Sequence, residues 1–166
     1  KKGGGQPDRI VLMGFSAGAH LVALAAAAGP EAGLDTSDSQ KQAGSLAACI
    51  VVAGPSITND ERAFLEARKP ESNYQLFLGD LPENIPATYE KASPAHWVSG
   101  NEPPMLFITE GNPSAHNTIR SKLDDVGIRN EIFNLIGGLH SEWNWEPWFT
   151  PTMEVTEAFI RSIITH

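Results

Sequence analysis

Cysteine is almost missing from this chain: Cys49 is the one cysteine among 166 residues, so no disulfide can form within it. It lies in the apolar run 46–53, where a small buried thiol is the simplest interpretation. Basic residues are scarce too, with 12 Lys and Arg against 20 Asp and Glu and a net charge of −8. Nucleic-acid binding needs clustered lysine and arginine, and a membrane-spanning helix needs about 20 apolar residues in a row. The sequence therefore predicts neither a nucleic-acid partner nor a membrane partner.

Two kinds of apolar pattern alternate along the chain. Short runs rich in branched residues, typical of buried strands, cover 9–13, 46–53, 105–109 and 131–136. Helical patterns cover 17–28, 59–69, 117–126 and 151–164, with one or two further turns in 86–91. The segments 33–44 and 74–86 are polar or rich in turn residues and predict loops. The alternation predicts an α/β fold of about four parallel strands with flanking helices, formed by a single domain over 1–166.

A Gly-x-Ser-x-Gly pattern stands where the first predicted strand meets the first predicted helix, at Gly14, Phe15, Ser16, Ala17 and Gly18. In this setting it indicates a nucleophile elbow, a strained turn that projects the serine hydroxyl above the sheet edge. The positions two before and two after the serine need small residues, because strand and helix nearly collide there, and Gly14 and Gly18 meet that need. The helix N-terminus makes the Ala17 N–H a candidate oxyanion donor. Ser16 is the candidate nucleophile, and an exposed serine in a glycine-rich turn is the alternative.

A serine hydroxyl is a weak nucleophile and needs a base, and the chain has five histidines. His140 comes just after the last predicted strand, on a turn that would bring it to the carboxyl edge of the sheet. It is therefore the candidate base. His20 lies one helical turn after Ser16, too close to reach back over the hydroxyl, and is predicted to pack. A structural role is also favoured for His96.

The third partner of such a site is an acid, expected in the loop after the third predicted strand. That loop, 110–115, contains no aspartate, and Glu110 is its one carboxylate. Glu110 is the candidate acid, provided that its side chain points along the loop. The alternative is that the acid has been lost, which lowers the rate about 10⁴-fold by leaving the histidine in the wrong tautomer.

Other chemistries lack their usual patterns. The sequence has no His-x-x-x-His, Cys-x-x-Cys or clustered Asp/His spacing of the kind that holds a catalytic metal. It has no Gly-x-Gly-x-x-Gly or P-loop after a strand. No metal and no cofactor is predicted.

Aromatic residues cluster just after His140, at Trp143, Trp145, Trp148 and Phe149. One interpretation is a platform for sugar rings or the wall of an acyl pocket. The other is packing of the C-terminal helix against the sheet.

Taken together, these segments resemble carbohydrate-esterase-like α/β-hydrolases, which are related to acetyl xylan and feruloyl esterases and to lipases and esterases with an HGGG motif. The resemblance covers most of the chain from Asp8 onward. It is carried by 8–21 at the elbow, 78–89 in the connector, 92–98 and 103–108 before the acid position, 138–140 at the histidine, and 143–152. It implies the C-terminal half of an α/β-hydrolase domain, with Ser16 as nucleophile, His140 as base and Ala17 as oxyanion donor.

The chain departs from that family in two places. Relatives carry an aspartate in the turn after the Pro-Pro strand, and here that position falls on Pro113 or Ser114. The N-terminal half with its glycine-rich oxyanion loop is absent from the sequence. The elbow strand would then form a sheet edge, which favours pairing with another strand. We expect a homodimer or a missing N-terminal half as its partner.

Two functional hypotheses follow from these residues. The first is a serine esterase acting on a small-molecule or polysaccharide ester, such as an acetyl or feruloyl ester of a plant polysaccharide. The second is a catalytically impaired relative that serves as a binding or scaffold module, or a non-functional fragment. The resemblance also suggests a secreted or periplasmic location.

Overall fold

The computed structural model describes residues 9–29, 32–34, 46–54, 61–137, 140 and 142–164. Its sheet has four strands, β1 (Ile10–Phe15), β2 (Leu46–Val52), β3 (Met105–Glu110) and β4 (Asn130–Leu135). They lie in the order β1-β2-β3-β4, and every neighbouring pair is parallel. The predicted four-stranded parallel α/β fold is confirmed. Because the strands are parallel, the residues that follow them meet at one edge of the sheet.

Helices connect and flank these strands. They are α1 (Ala17–Ala28), α2 (Glu61–Ala67), α3 (Asn73–Leu78), α4 (Pro86–Ala92), α5 (Asn117–Asp125) and α6 (Phe149–Ile164). Short 3₁₀ turns cover Pro94–His96, Pro113–His116 and Glu142–Asn144. The predicted elements agree with these bounds to within about two residues, except in 74–86. Most of the predicted loop 33–44 lies outside the described residues.

Helix α3 corrects the prediction of a loop over 74–86. Ser72 caps its N-terminus by accepting a hydrogen bond from the Tyr74 N–H at 3.2 Å. Gly79 ends it with a φ of 105°, in the left-handed region that glycine adopts without strain. With six residues, the helix contains a single aromatic pair at the helical spacing, Tyr74 and Phe77, so its periodic signal in the sequence is weak.

Each face of the sheet carries its own apolar core, because neighbouring residues of β2 and β3 point to opposite faces. Against one face pack α1 and α5, through Ala19, Ala23, Cys49, Val51, Met105, Phe107, Ile119 and Leu123. Against the other packs α6, through Ala48, Ile50, Val52, Leu106, Ile108, Leu135 and Phe159. Cys49 is fully buried, and burial raises the pKa of its thiol to about 12. The thiol therefore stays protonated and packs as an apolar group.

Strand β1 forms one edge of the described sheet, as the sequence predicted. Ile10 and Met13 on this strand remain 42% and 41% exposed, whereas β2 and β3 are almost entirely buried. Among the described helices, none combines the length and the apolar character that crossing a membrane requires.

Candidate active site

Ser16 occupies the turn between β1 and α1. Its φ of 52° lies in the left-handed region, which costs a residue with a side chain about 1–3 kcal/mol. The turn is held from below by a 3.0 Å hydrogen bond from the Ser16 N–H to the Val52 carbonyl at the end of β2. This is the local geometry expected of a nucleophile elbow, in which the hydroxyl projects from the carboxyl edge of the sheet.

The two glycines of the elbow have different steric roles. A Cβ at Gly14 would lie 2.2 Å from the Gly18 carbonyl oxygen and 2.9 Å from the Ala19 nitrogen, both of which are backbone atoms. A Cβ at Gly18 would have no described atom within 4 Å. Among the described residues, the close approach of strand and helix therefore concerns Gly14, whereas nothing crowds the absent side chain of Gly18. What Gly14 approaches is the backbone of residue 18, not its missing side chain.

Three of the predicted residues meet above the elbow. The Ser16 Oγ lies 2.9 Å from the His140 Nε2, and the His140 Nδ1 lies 2.8 Å from a carboxylate oxygen of Glu110. Because a carboxylate oxygen accepts, the ring proton sits on Nδ1 and donates to Glu110. The Nε2 is then free to accept the hydroxyl proton of Ser16. This is the order of contacts found in a serine nucleophile, a base and an orienting acid.

Each member of this chain of contacts comes from the end of a strand. Ser16 follows β1, Glu110 is the last residue of β3, and His140 lies in the segment after β4. The Glu110 side chain is only 11% exposed, whereas that of His140 is 60% exposed. The contact is therefore shielded from water at Glu110 and open to solvent at His140.

The Ala17 N–H is the first of α1. The first four N–H groups of a helix have no partner within the helix, and they carry its positive dipole end. A negatively charged oxygen beside Ser16 would face this group. The catalytic roles of these residues stay predictions. The geometry gives the distances between Ser16, His140 and Glu110.

The other three histidines that the structure describes make packing or hydrogen-bond contacts. His20 is buried in α1, where its Nε2–H donates to the Ala92 carbonyl at 2.7 Å. Burial lowers its pKa, partly offset by that hydrogen bond, so the neutral ring is favoured. His116 is buried with its ring 5.0 Å from that of Phe107. His96 is exposed beside Trp97.

A cavity of about 460 Å³ opens beside Ser16 and His140. Its walls include Leu21 of α1 and Phe77 of α3, which are 57% and 63% exposed. Tyr74, also on α3, lines it too. Sequence reasoning missed this wall because it assigned the segment to a loop, although the aromatic pair at a spacing of three residues is a helical signal.

The aromatic cluster after His140 divides between the two interpretations. Trp143 and Trp148 are half-buried and pack against the core under α6, as the packing interpretation predicted. Trp145 and Phe149 are 70% and 42% exposed. None of the four lines the described cavity beside Ser16. Across the part of the chain that the structure describes, no three His, Cys, Asp or Glu side chains are grouped to hold a metal ion.

Solved structures of esterases have the same fold. A truncated carbohydrate esterase from gut microbiota superposes with a TM-score of 0.69 at 20% identity, over 92% of this chain and 60% of its own. An acetyl ester-xyloside bifunctional hydrolase from Caldicellulosiruptor lactoaceticus gives 0.70 at 21% identity, over 95% and 58%. Esterase 2 of the planctomycete Thermogutta terrifontis gives 0.65 at 24% identity, over 93% and 55%. The chain thus has part of an α/β-hydrolase fold and spans 55–60% of the length of these structures.

Sequence comparison gives the family. No curated protein matches the chain significantly. The profile of the BD-FAE family matches residues 2–119, which is well over half of this chain. The chain therefore belongs to the BD-FAE family.

Proposed function

We propose that this domain hydrolyses carboxylic esters, with Ser16 as nucleophile, His140 as general base and Glu110 as the acid that orients the base. The observation that carries the proposal is the unbroken contact from Ser16 to His140 to Glu110, at 2.9 and 2.8 Å. The strained turn at Ser16 supports it, because such strain is typical of functional sites. Membership of the BD-FAE family and the fold shared with esterases are consistent with it.

The proposed reaction has two halves. In the first, the Ser16 Oγ bonds to the ester carbonyl carbon, its proton passes to the His140 Nε2, and the carbonyl π electrons move onto oxygen. The Ala17 N–H donates to that oxyanion, while Glu110 stabilises the imidazolium. Collapse of the intermediate breaks the bond to the alcohol, which leaves with the proton from Nε2. In the second half, water attacks the acyl-enzyme by the same route, releases the acid and restores the Ser16 hydroxyl.

Labelling with a fluorophosphonate probe tests the nucleophile. We expect intact-mass spectrometry to detect one adduct per chain in the wild-type protein and none in Ser16→Ala, because only an activated serine displaces the fluoride. Ser121→Ala is the control, since Ser121 is an exposed serine on α5 that does not line the cavity beside Ser16. Equal labelling of wild type and Ser16→Ala, or none of either, would contradict the proposal and favour a catalytically impaired binding or scaffold module.

For the substrate, we infer an ester of a plant polysaccharide whose acyl group enters the cavity beside Ser16, with feruloyl preferred over acetyl. A two-carbon acetyl group would leave most of the 460 Å³ empty. The exposed faces of Leu21 and Phe77 offer apolar walls that an aromatic ring would cover. Of the similar structures, one is a carbohydrate esterase and another an acetyl ester-xyloside bifunctional hydrolase, which supports a carbohydrate-linked ester.

Truncating the aromatic wall is expected to change acyl preference. For Phe77→Ala we expect kcat/KM for 4-nitrophenyl ferulate to fall about 10- to 50-fold and that for 4-nitrophenyl acetate to stay within about threefold. The two esters share a leaving group, so their ratio reports the acyl side alone. Leu76→Ala is the matched control, because Leu76 is the neighbouring α3 residue, is 75% exposed and does not line the cavity. Equal losses for both esters, or the same ratio in both variants, would count against this cavity as the acyl site.

A further inference from the structure

Phe15 fills the first of the two positions of the Gly-x-Ser-x-Gly pattern where any residue is allowed. It is the last residue of β1, immediately before Ser16. Its ring stacks on the His140 imidazole, with centroids 5.0 Å apart and planes at 29°. It also contacts the Trp143 ring at 5.2 Å and a tilt of 40°. Both centroid separations lie within the range in which contacts between aromatic rings are favourable.

The stack supplies a restraint that the hydrogen bonds of His140 lack. Those bonds join Nδ1 and Nε2, at the edge of the ring, to Glu110 and Ser16. Neither bond touches the flat face of the imidazole, on which the Phe15 ring stacks. With its side chain 60% exposed, His140 gains little packing from a core. The flat face of Phe15 opposes tilting of the imidazole towards it, which helps to keep Nε2 directed at the Ser16 Oγ.

Phe15 itself is anchored in the core. It is half-buried and packs, together with Trp143, against the apolar cluster between the sheet and α6. The position of its ring is therefore set by β1, which also sets the position of Ser16. The end of β1 therefore positions both Ser16 and, through the Phe15 ring, the imidazole plane of His140.

The stack also responds to charge. When Nε2 takes the serine proton, the imidazole becomes a cation 5.0 Å from the centre of an aromatic face. A cation at that distance is attracted by the electron-rich face of the ring. The contact is thus stronger in the transition state than in the resting enzyme, as catalysis requires.

We propose that Phe15 is a positioning residue for His140, which fixes the plane of the imidazole and stabilises it when protonated. The proposal rests on the proposed esterase function only in treating His140 as the general base. The stacking itself is a property of the fold.

Kinetics of three variants test the proposal. Phe15→Leu is expected to lower kcat for 4-nitrophenyl acetate about tenfold with KM within about twofold, since Phe15 does not line the cavity beside Ser16. Phe15→Tyr, which keeps the aromatic face, is expected to restore kcat to within about threefold of wild type. Phe133→Leu is the matched control, because Phe133 is also a half-buried phenylalanine that packs against the same core, from β4. Equal kcat losses in Phe15→Leu and Phe133→Leu, or no rescue by Phe15→Tyr, would overturn the proposal.

A second measurement is independent of turnover. In proton NMR spectra of the wild-type protein, the His140 ring signals, assigned by comparison with His140→Gln, are expected to be shifted upfield by the Phe15 ring current. We expect this shift to disappear in Phe15→Leu and to persist in Phe15→Tyr and Phe133→Leu. Unchanged His140 signals in Phe15→Leu would overturn the proposal even in an active enzyme. Loss of the shift in a protein whose Ser16 is unreactive would support the stack and count against the esterase function alone.

Discussion

Replacing Glu110 with glutamine is expected to lower kcat/KM for 4-nitrophenyl acetate about 10³- to 10⁴-fold. The glutamine amide can donate to the His140 Nδ1, which stabilises the tautomer with its proton on Nε2. That nitrogen faces the Ser16 Oγ at 2.9 Å and could no longer accept its proton. Losses of about this size follow when the orienting acid of a serine triad is replaced by its amide. The shape of the side chain is kept, so the stability of the protein should change little.

Glu131→Gln is the matched control for this experiment. Glu131 lies on the neighbouring strand β4, pairs with Arg129 at 2.6 Å and is 47% exposed, so its replacement removes one carboxylate without touching the site. We expect it to retain wild-type kcat/KM. If Glu110→Gln also retained it, Glu110 would not be the acid, and another carboxylate would have to supply it.

The contact made by Glu110 marks the limit of sequence reasoning about this site. That Ser16, Glu110 and His140 lie at one edge follows from parallel strands, whose carboxyl ends meet there. That the Glu110 carboxylate reaches His140 could not be predicted. It depends on the direction of a side chain at the last residue of β3 and on the path of the segment after β4. The sequence therefore left a lost acid open as the alternative.

The wall of the cavity was missed for a different reason. A short helix such as α3 depends on its caps and its neighbours more than on periodicity. Gln75, for example, donates from its side chain to the Ala67 carbonyl at the end of α2. Without that tertiary contact, the segment reads as turns because Gly79 and two nearby prolines dominate its composition. The strands and the longer helices were predictable because their apolar runs carry the signal within the segment itself.

Replacing Gly14 with alanine is expected to have the largest effect on stability, lowering the free energy of unfolding by about 4 kcal/mol or more. The new Cβ would lie 2.2 Å from the Gly18 oxygen and 2.5 Å from its carbonyl carbon. Side-chain clashes can be relieved by rotation, but these atoms belong to the first turn of α1. Relief requires moving the helix away from β1, and α1 carries the buried Ala19 and Ala23 of the core. Urea unfolding followed by circular dichroism measures the change.

Gly18→Ala is the control that separates this clash from a general intolerance of larger residues at the elbow. Gly18 has helical geometry within α1 and no described atom near its absent Cβ. Alanine there should leave stability unchanged or raise it by up to about 1 kcal/mol. Equal losses at both positions would contradict the steric difference between them. Where Gly14→Ala still folds, the displaced helix would carry Ser16 away from His140, so esterase activity should fall further than stability. That outcome would tie the close approach of β1 and α1 to the position of the nucleophile.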